Sequence, residues 1–105
     1  MTVIPTEHFK DQAEGLYKPY LGSWEAAYQQ VVSKMRHQKR GVHWVLVARL
    51  GREIFMGRQD TPDKRVNGDV LIAVVRPKKY SRDLSITTVF VRRDKQRKKC
   101  RYYWE

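Results

Sequence analysis

The chain has 105 residues, a formal net charge of +11 at pH 7 and a single cysteine, Cys100. Its length indicates one domain spanning residues 1–105. A single cysteine excludes an internal disulfide, and one cysteine with three histidines gives no zinc-ligand pattern, so we expect neither a metal nor another cofactor. No apolar run approaches the ~20 residues of a membrane span and no signal-peptide pattern is present, so we expect a cytoplasmic protein that does not engage a membrane.

The charge is unevenly distributed along the chain. Residues 1–33 hold two lysines against four carboxylates, a net charge of −2, whereas residues 34–105 hold twenty lysines and arginines against seven carboxylates, a net charge of +13. Such a concentration of cations indicates a polyanionic partner, either nucleic acid or an acidic protein. An anionic membrane fits less well, because the basic part is patterned as strands rather than as an amphipathic helix. Solubility alone is the remaining explanation.

Two helices are predicted before residue 42. Thr6 is a suitable N-cap for the first helix, which Pro19 would end near Lys18. Ser23 is the N-cap of the second helix, which we expect to stop at Gly41. The apolar residues of the first helix recur at helical spacing and are Phe9, Ala13, Leu16 and Tyr20.

The remainder of the chain predicts a sheet. Val42 to Leu50 and Val70 to Val75 carry apolar residues on both faces, which is typical of central strands. A strand is expected from Glu53 to Arg58, followed by a polar loop over residues 59–65. Asn67-Gly68 is a strong signal for a tight hairpin turn.

The last stretch, Asp83 to Glu105, predicts two strands joined by a basic turn. Met1 to Pro5 is interpreted as an edge strand or a loose arm. Alternation predicts that one face of the strand after Asp83 carries Leu84, Ile86, Thr88 and Phe90. The whole pattern predicts an α+β fold in which two N-terminal helices pack on a four- to five-stranded antiparallel meander.

Cations and aromatic rings are interleaved in the basic part of the chain. Arginines near strand ends would collect along two rims of a meander. The planar guanidinium group suits phosphate, and flat rings suit the faces of bases. For each tyrosine taken singly, core packing is the alternative. The residues predicted to bind nucleic acid are Arg49, Lys78, Lys79, Tyr80, Arg92, Arg93, Lys98, Lys99, Arg101 and Tyr102.

Cleavage of RNA through its own 2′-hydroxyl needs a base, an acid and groups that stabilise the phosphorane, but no metal. His8 and His43 are candidates for proton transfer, Arg76 for charge stabilisation and Thr88 for hydrogen bonding. A purely structural role is the alternative for each. Magnesium-dependent cleavage is disfavoured because the carboxylates are scattered.

The order of elements resembles the group of small ribonuclease toxins that includes barnase, EndoU, RelE and the colicin ribonucleases. The first stretch that carries the resemblance is Thr6–Lys10 with the helix Trp24–Met35. The second is Val74–Arg76 with the strand Ile86–Phe90. The resemblance covers most of the chain as a pattern, without a specific motif.

The resemblance implies that His8, Arg76 and Thr88 are the counterparts of the toxins' catalytic residues. It also implies an acidic antitoxin or immunity protein as a partner. We therefore expect a basic protein that acts on RNA as a metal-independent endoribonuclease of the toxin type. A non-catalytic nucleic-acid-binding regulator, of the phage or plasmid type, is the alternative, and a protein that docks on an acidic partner is a third hypothesis.

Overall fold

The computed structural model describes residues 2–35, 39–50, 54–57, 62–65, 69–93 and 100–105, with only the backbone for residues 54–57, 62–65 and 69. The described elements in chain order are β1 (Val3–Pro5), α1 (Glu7–Glu14), α2 (Lys18–Leu21), α3 (Trp24–Lys34), β2 (His43–Arg49), β3 (Ile54–Gly57), β4 (Pro62–Arg65), β5 (Asp69–Pro77), β6 (Leu84–Arg93) and β7 (Tyr102–Trp104).

The fold is α+β, and its main sheet is mixed. The described strands form a five-stranded sheet in the order β1-β6-β5-β2-β7. Its centre, β2, β5 and β6, is antiparallel as predicted, but each edge strand runs parallel to its neighbour. The expectation of a purely antiparallel meander was therefore wrong at both edges. Within the N-terminal stretch, Val3–Pro5 forms an edge strand, one of the two interpretations given for it, and Val3 pairs with Leu84.

The prediction of a C-terminal hairpin is also wrong, because β7 does not pair with β6. Strand β7 is an edge strand that pairs with β2, with Tyr102 opposite His43 and Trp104 opposite Val45. Beyond the segment paired with β1, the outer edge of β6 is covered by α1, where Gln12 accepts a hydrogen bond from the Val89 amide at 2.9 Å. The joining segment, residues 94–99, lies outside the described residues.

Both predicted N-caps are confirmed. The Thr6 hydroxyl accepts a hydrogen bond from the Phe9 amide, and the Ser23 hydroxyl accepts one from the Ala26 amide, each at 3.2 Å. These bonds satisfy amides that have no partner within the first helical turn.

The ends of the helices differ from the prediction, and the described residues form three helices rather than two. Helix α1 ends at Glu14 instead of near Lys18. Pro19 lies in the first turn of the separate helix α2, where a missing amide proton costs no hydrogen bond. Helix α3 ends at Lys34, well before Gly41.

The helices pack on one face of the main sheet, which we call the helix face. Leu16 was expected in this core but is 47% exposed. The core residues, all buried, include Phe9, Ala13, Ala27, Val31, Val45, Val47, Leu71, Ala73, Val75, Leu84, Ile86 and Val89. No helix of the described residues is long and apolar enough to cross a membrane.

The segment between β2 and β5 contains a second, two-stranded sheet. Strand β3 was predicted, but β4 lies where the polar loop over residues 59–65 was expected. The two strands pair antiparallel, with Ile54 opposite Arg65 and Gly57 opposite Pro62. The Asn67-Gly68 turn lies outside the described residues.

A bulge in β2 breaks the alternation of side chains between the two faces of the main sheet. The register with β5 shifts between Leu46 and Ala48, so Val47 and Ala48 both contact the core on the helix face. Without the shift, Arg49 would lie on the helix face with Val45. With it, Arg49 lies opposite Val70, on the other face of the sheet.

A second register shift, in β6, also breaks the alternation of side chains between the two faces of the sheet. Val74 pairs with Thr88 and Val75 with Ile86, which leaves Thr87 as the extra residue. The predicted face of Leu84, Ile86, Thr88 and Phe90 was therefore wrong, because Phe90 packs on the face opposite to Leu84 and Ile86.

Side chains from the helix layer satisfy backbone groups freed at both bulges. At the β2 bulge, the Lys34 ammonium donates to the Leu46 carbonyl at 2.5 Å. At the β6 bulge, the Thr6 hydroxyl donates to the Ile86 carbonyl at 2.7 Å. Gln12 Oε1 accepts from the Thr88 hydroxyl at 2.6 Å, in addition to the amide of the next residue. An unpaired polar backbone group would otherwise oppose each bulge.

We expect Gln12→Ala to lower the free energy of unfolding by about 1–3 kcal/mol, because it leaves a strand amide and a hydroxyl without their acceptor. Gln29→Ala, at an exposed position of α3, is the matched control and removes the same side chain from a helix surface. Urea denaturation measures both. Equal stability of the two variants would show that Gln12 does not support the bulge.

Candidate nucleic-acid interface

The face of the main sheet opposite the helices carries a separate apolar cluster. Its buried base is formed by Leu46, Val70 and Ile72. Three partly buried rings pack against this base: Trp44, Phe90 and Tyr103. No residue of the described helices belongs to this cluster. We call these three rings, together with Arg49, Arg76, Arg92 and Arg101, the aromatic face.

The rings come from three different strands: Trp44 and Phe90 flank the central strand β5, and Tyr103 lies opposite Trp44 on the edge strand β7. Trp44 and Phe90 lie edge to face, with ring centroids 5.3 Å apart. The Arg92 guanidinium lies 4.8 Å from the Phe90 centroid and 5.9 Å from that of Trp44. A guanidinium at this distance from a ring is attracted by the ring quadrupole. The arrangement places a cation beside flat, partly exposed apolar surfaces.

The arginines lie at the two ends of this face. Arg49 and Arg92 both lie opposite Val70, one on each side of β5. By alternation along β5, Arg76 shares the face of Val70 at the other end of that strand. Arg101 immediately precedes β7 and lines a pocket together with Trp44. At about 3.3 Å per residue, Val70 and Arg76 are about 20 Å apart along the strand.

The arginines differ in how strongly they are neutralised. Arg49 forms an ion pair with Glu105, with Nη2 and Oε1 3.0 Å apart. Within the described part of the chain, Arg76, Arg92 and Arg101 form no ion pair with a carboxylate, and all three are exposed. Arg93 is also exposed, at the end of β6. Among the described residues, the charge on this face is therefore mostly not paired with carboxylates.

The loop between β5 and β6 continues the basic surface beyond the Arg76 end of the sheet. Lys78, Lys79 and Tyr80 are all exposed there, as predicted binding residues would be. Arg40 donates hydrogen bonds to the carbonyls of Ser81 at 2.8 Å and Lys78 at 3.2 Å. Arg40 thus supports this loop through contacts between residues far apart in the chain.

His43 is fully buried and held on both sides. Its Nδ1 accepts a hydrogen bond from the Trp104 indole N–H at 3.0 Å, and its Nε2 lies 2.5 Å from the Lys39 carbonyl. Because an indole only donates and a carbonyl only accepts, we infer the neutral tautomer protonated at Nε2. The ring stacks on Tyr102 at 4.7 Å. Both nitrogens are occupied, so the geometry gives His43 a role in joining β7 to β2 and no access to a substrate.

The four predicted catalytic residues do not converge. His8 is exposed in the first turn of α1, in the helix layer. Thr88 is hydrogen-bonded to Gln12, and Arg76 lies on the aromatic face. An acid–base pair flanking a phosphate therefore does not form from His8, His43, Arg76 and Thr88.

The remaining predicted binding residues lie in different surroundings or outside the described residues. Tyr102 packs on His43, and Arg101 lies 5.4 Å from its ring centroid. Lys98 and Lys99 lie outside the described residues. The rings of the aromatic face were not predicted as a group. The bulges that place them together cannot be recognised from the alternation of apolar and polar residues in the sequence.

No protein-family model, no curated protein and no solved structure matches the chain. Among the described residues, no cluster of histidine, cysteine and carboxylate side chains is suited to hold a metal ion.

Burial lowers the pKa of Lys34 from its ordinary value of 10.5, and the nearby Arg49 lowers this pKa further while Glu105 opposes the shift. A cation with a lowered pKa in the folded state binds fewer protons there than in the unfolded chain. Stability should therefore rise with pH from the folded-state pKa up to 10.5.

We expect the free energy of unfolding of the wild type to rise relative to that of Lys34→Met as the pH is raised from about 7 to about 10. The variant retains the apolar stem and removes the titrating group, so the other lysines and tyrosines cancel in the difference. Chemical denaturation at several pH values measures it. A difference that is constant with pH would contradict the assignment.

Proposed function

We propose that the protein binds single-stranded RNA on the aromatic face and does so in the cytoplasm. The observation that carries the proposal is a row of three partly exposed rings with arginines at both ends, of which Arg49 alone has a carboxylate partner among the described residues. Stacking of a base on an aromatic side chain contributes about 1–3 kcal/mol and tolerates any base. Guanidinium groups on either side of the rings would hold the phosphates that precede and follow the stacked bases.

A single strand fits this face better than a duplex. Bases within a duplex are already stacked on each other, so rings on a flat sheet have no base face to contact. One class of duplex reader instead presents a helix to a groove. The described helices all pack on the helix face, so none of them shares the aromatic face with the rings and the arginines.

The placement of charge supports recognition of a polyanion over simple solubility. The N-terminal third, which forms the helix layer, carries a net charge of −2, and its four carboxylates are exposed. The uncompensated arginines lie on the opposite side of the sheet. A protein charged only for solubility has no need to separate the two signs on opposite faces.

We expect affinity for an oligouridylate to fall linearly with salt on a double-logarithmic plot. Arg76→Ala combined with Arg101→Ala should reduce the magnitude of the slope by about 1.4, because each lost phosphate contact on a single strand removes about 0.7. Lys18→Ala, at an exposed position of α2, is the matched control and should leave the slope unchanged. Fluorescence anisotropy measures all three.

A slope near zero for the wild type would contradict the proposal, as would an equal effect of Lys18→Ala. A ring variant separates RNA from an acidic protein as the partner. Trp44→Leu keeps the base of the cluster covered but removes a stacking surface, and should weaken RNA binding about tenfold. An acidic protein that docks through charge alone would bind this variant as it binds the wild type.

Cleavage of the toxin type is tested separately, because the predicted catalytic residues do not converge in the structure. We expect RNA incubated with excess protein in EDTA to remain intact and bound, and expression to leave growth unchanged. Fragments that disappear with His8→Ala would instead support the endoribonuclease hypothesis, and with it an acidic antitoxin or immunity protein as a partner.

A further inference from the structure

Tyr80, at the tip of the loop between β5 and β6, combines two unfavourable features. Its side chain is fully exposed, and its φ is +59°, in the left-handed region. Bulky residues avoid this region because Cβ approaches a backbone carbonyl, whereas glycine and asparagine tolerate it. An exposed apolar ring therefore occupies a position where a smaller, more polar residue would be more stable. Strain of this kind is concentrated at functional positions.

Hydrogen bonds on both sides of the tip hold the loop in this shape. Arg40 binds the carbonyls of Lys78 and Ser81, which flank the tip. The Lys78 amide donates to the Asp83 carbonyl at 3.0 Å, and the Asp83 amide donates to the Ser81 hydroxyl at 3.0 Å. The ring is therefore presented by a preformed loop, which reduces the entropy lost when a ligand binds.

The surroundings of the tip are those of a site for a nucleotide. Four exposed cations lie on the loop or bind it: Arg40, Lys78, Lys79 and Arg82. The carboxylate of Asp83 accepts a hydrogen bond from the Thr2 amide at 3.1 Å. An exposed ring among cations offers a stacking surface and phosphate contacts within one short loop.

We propose that Tyr80 stacks on a base of an RNA strand that has crossed the aromatic face and leaves it at the Arg76 end. This inference rests on the proposed function and extends its site beyond the sheet. Tyr80 follows Arg76 by four residues, so the loop begins where the row of rings and arginines ends. A strand that spans only the sheet would not reach the tip, whereas a longer one would.

The test compares two oligouridylates, one of about four nucleotides and one of about ten, which bracket the shorter sites found for single-strand binding domains. Tyr80→Gly should weaken binding of the longer oligonucleotide about tenfold and leave that of the shorter one within about twofold. It should also raise the melting temperature, because glycine relieves the left-handed strain. Tyr80→Asn should weaken binding of the longer oligonucleotide in the same way, and Tyr80→Phe should keep the wild-type affinity.

Leu16→Ala is the control, since it removes a large exposed apolar side chain from the helix layer. It should leave both affinities unchanged. Unchanged binding of the longer oligonucleotide by Tyr80→Gly, or equal losses for both lengths, would overturn the inference while the proposed function stands. Failure of the wild type to bind either oligonucleotide would overturn both.

Discussion

The two register shifts in the main sheet decide which side chains share a face, and the rest of the structure depends on them. Without them, Phe90, Arg92 and Arg49 would point into the helix layer. The shifts are stabilised by Lys34 and Gln12, whose side chains form hydrogen bonds with backbone groups at the bulges. Helix side chains thus do more than fill the core. They fix the local register that brings rings from three strands together beside uncompensated arginines.

The two faces of the main sheet also differ in charge. The helix layer contains the carboxylates of the N-terminal third, and the sheet places most of its arginines on the far side. Contacts with His43 hold strand β7 on this sheet. The buried His43 ring stacks with Tyr102 and Trp104, and it accepts a hydrogen bond from the Trp104 indole N–H. A histidine that first suggests proton transfer therefore anchors the strand that brings Tyr103 to the aromatic face.

The sequence predicts the class of fold well and the details of the site less well. N-caps at Thr6 and Ser23 and the buried run after Asp69 depend on local chemistry, so the pattern indicates them. The bulges and the parallel pairing of β7 depend on contacts between distant residues. Side-chain alternation therefore placed Phe90 with Leu84, and the basic composition of residues 94–99 suggested a hairpin turn. Cations of the aromatic face were singled out from the sequence, but its rings were not recognised as a group.

The three tryptophans allow a direct test of the central claim, which is that RNA binds across the bulged side of the sheet. Trp44 lies on the aromatic face, Trp24 packs in the helix layer, and the indole N–H of Trp104 is bonded to His43. Titration of ¹⁵N-labelled protein with a single-stranded oligonucleotide, followed through the indole resonances, distinguishes these positions. We expect a large shift of the Trp44 resonance with little change at Trp24. A shift confined to Trp24, or none at Trp44 at saturation, would contradict it.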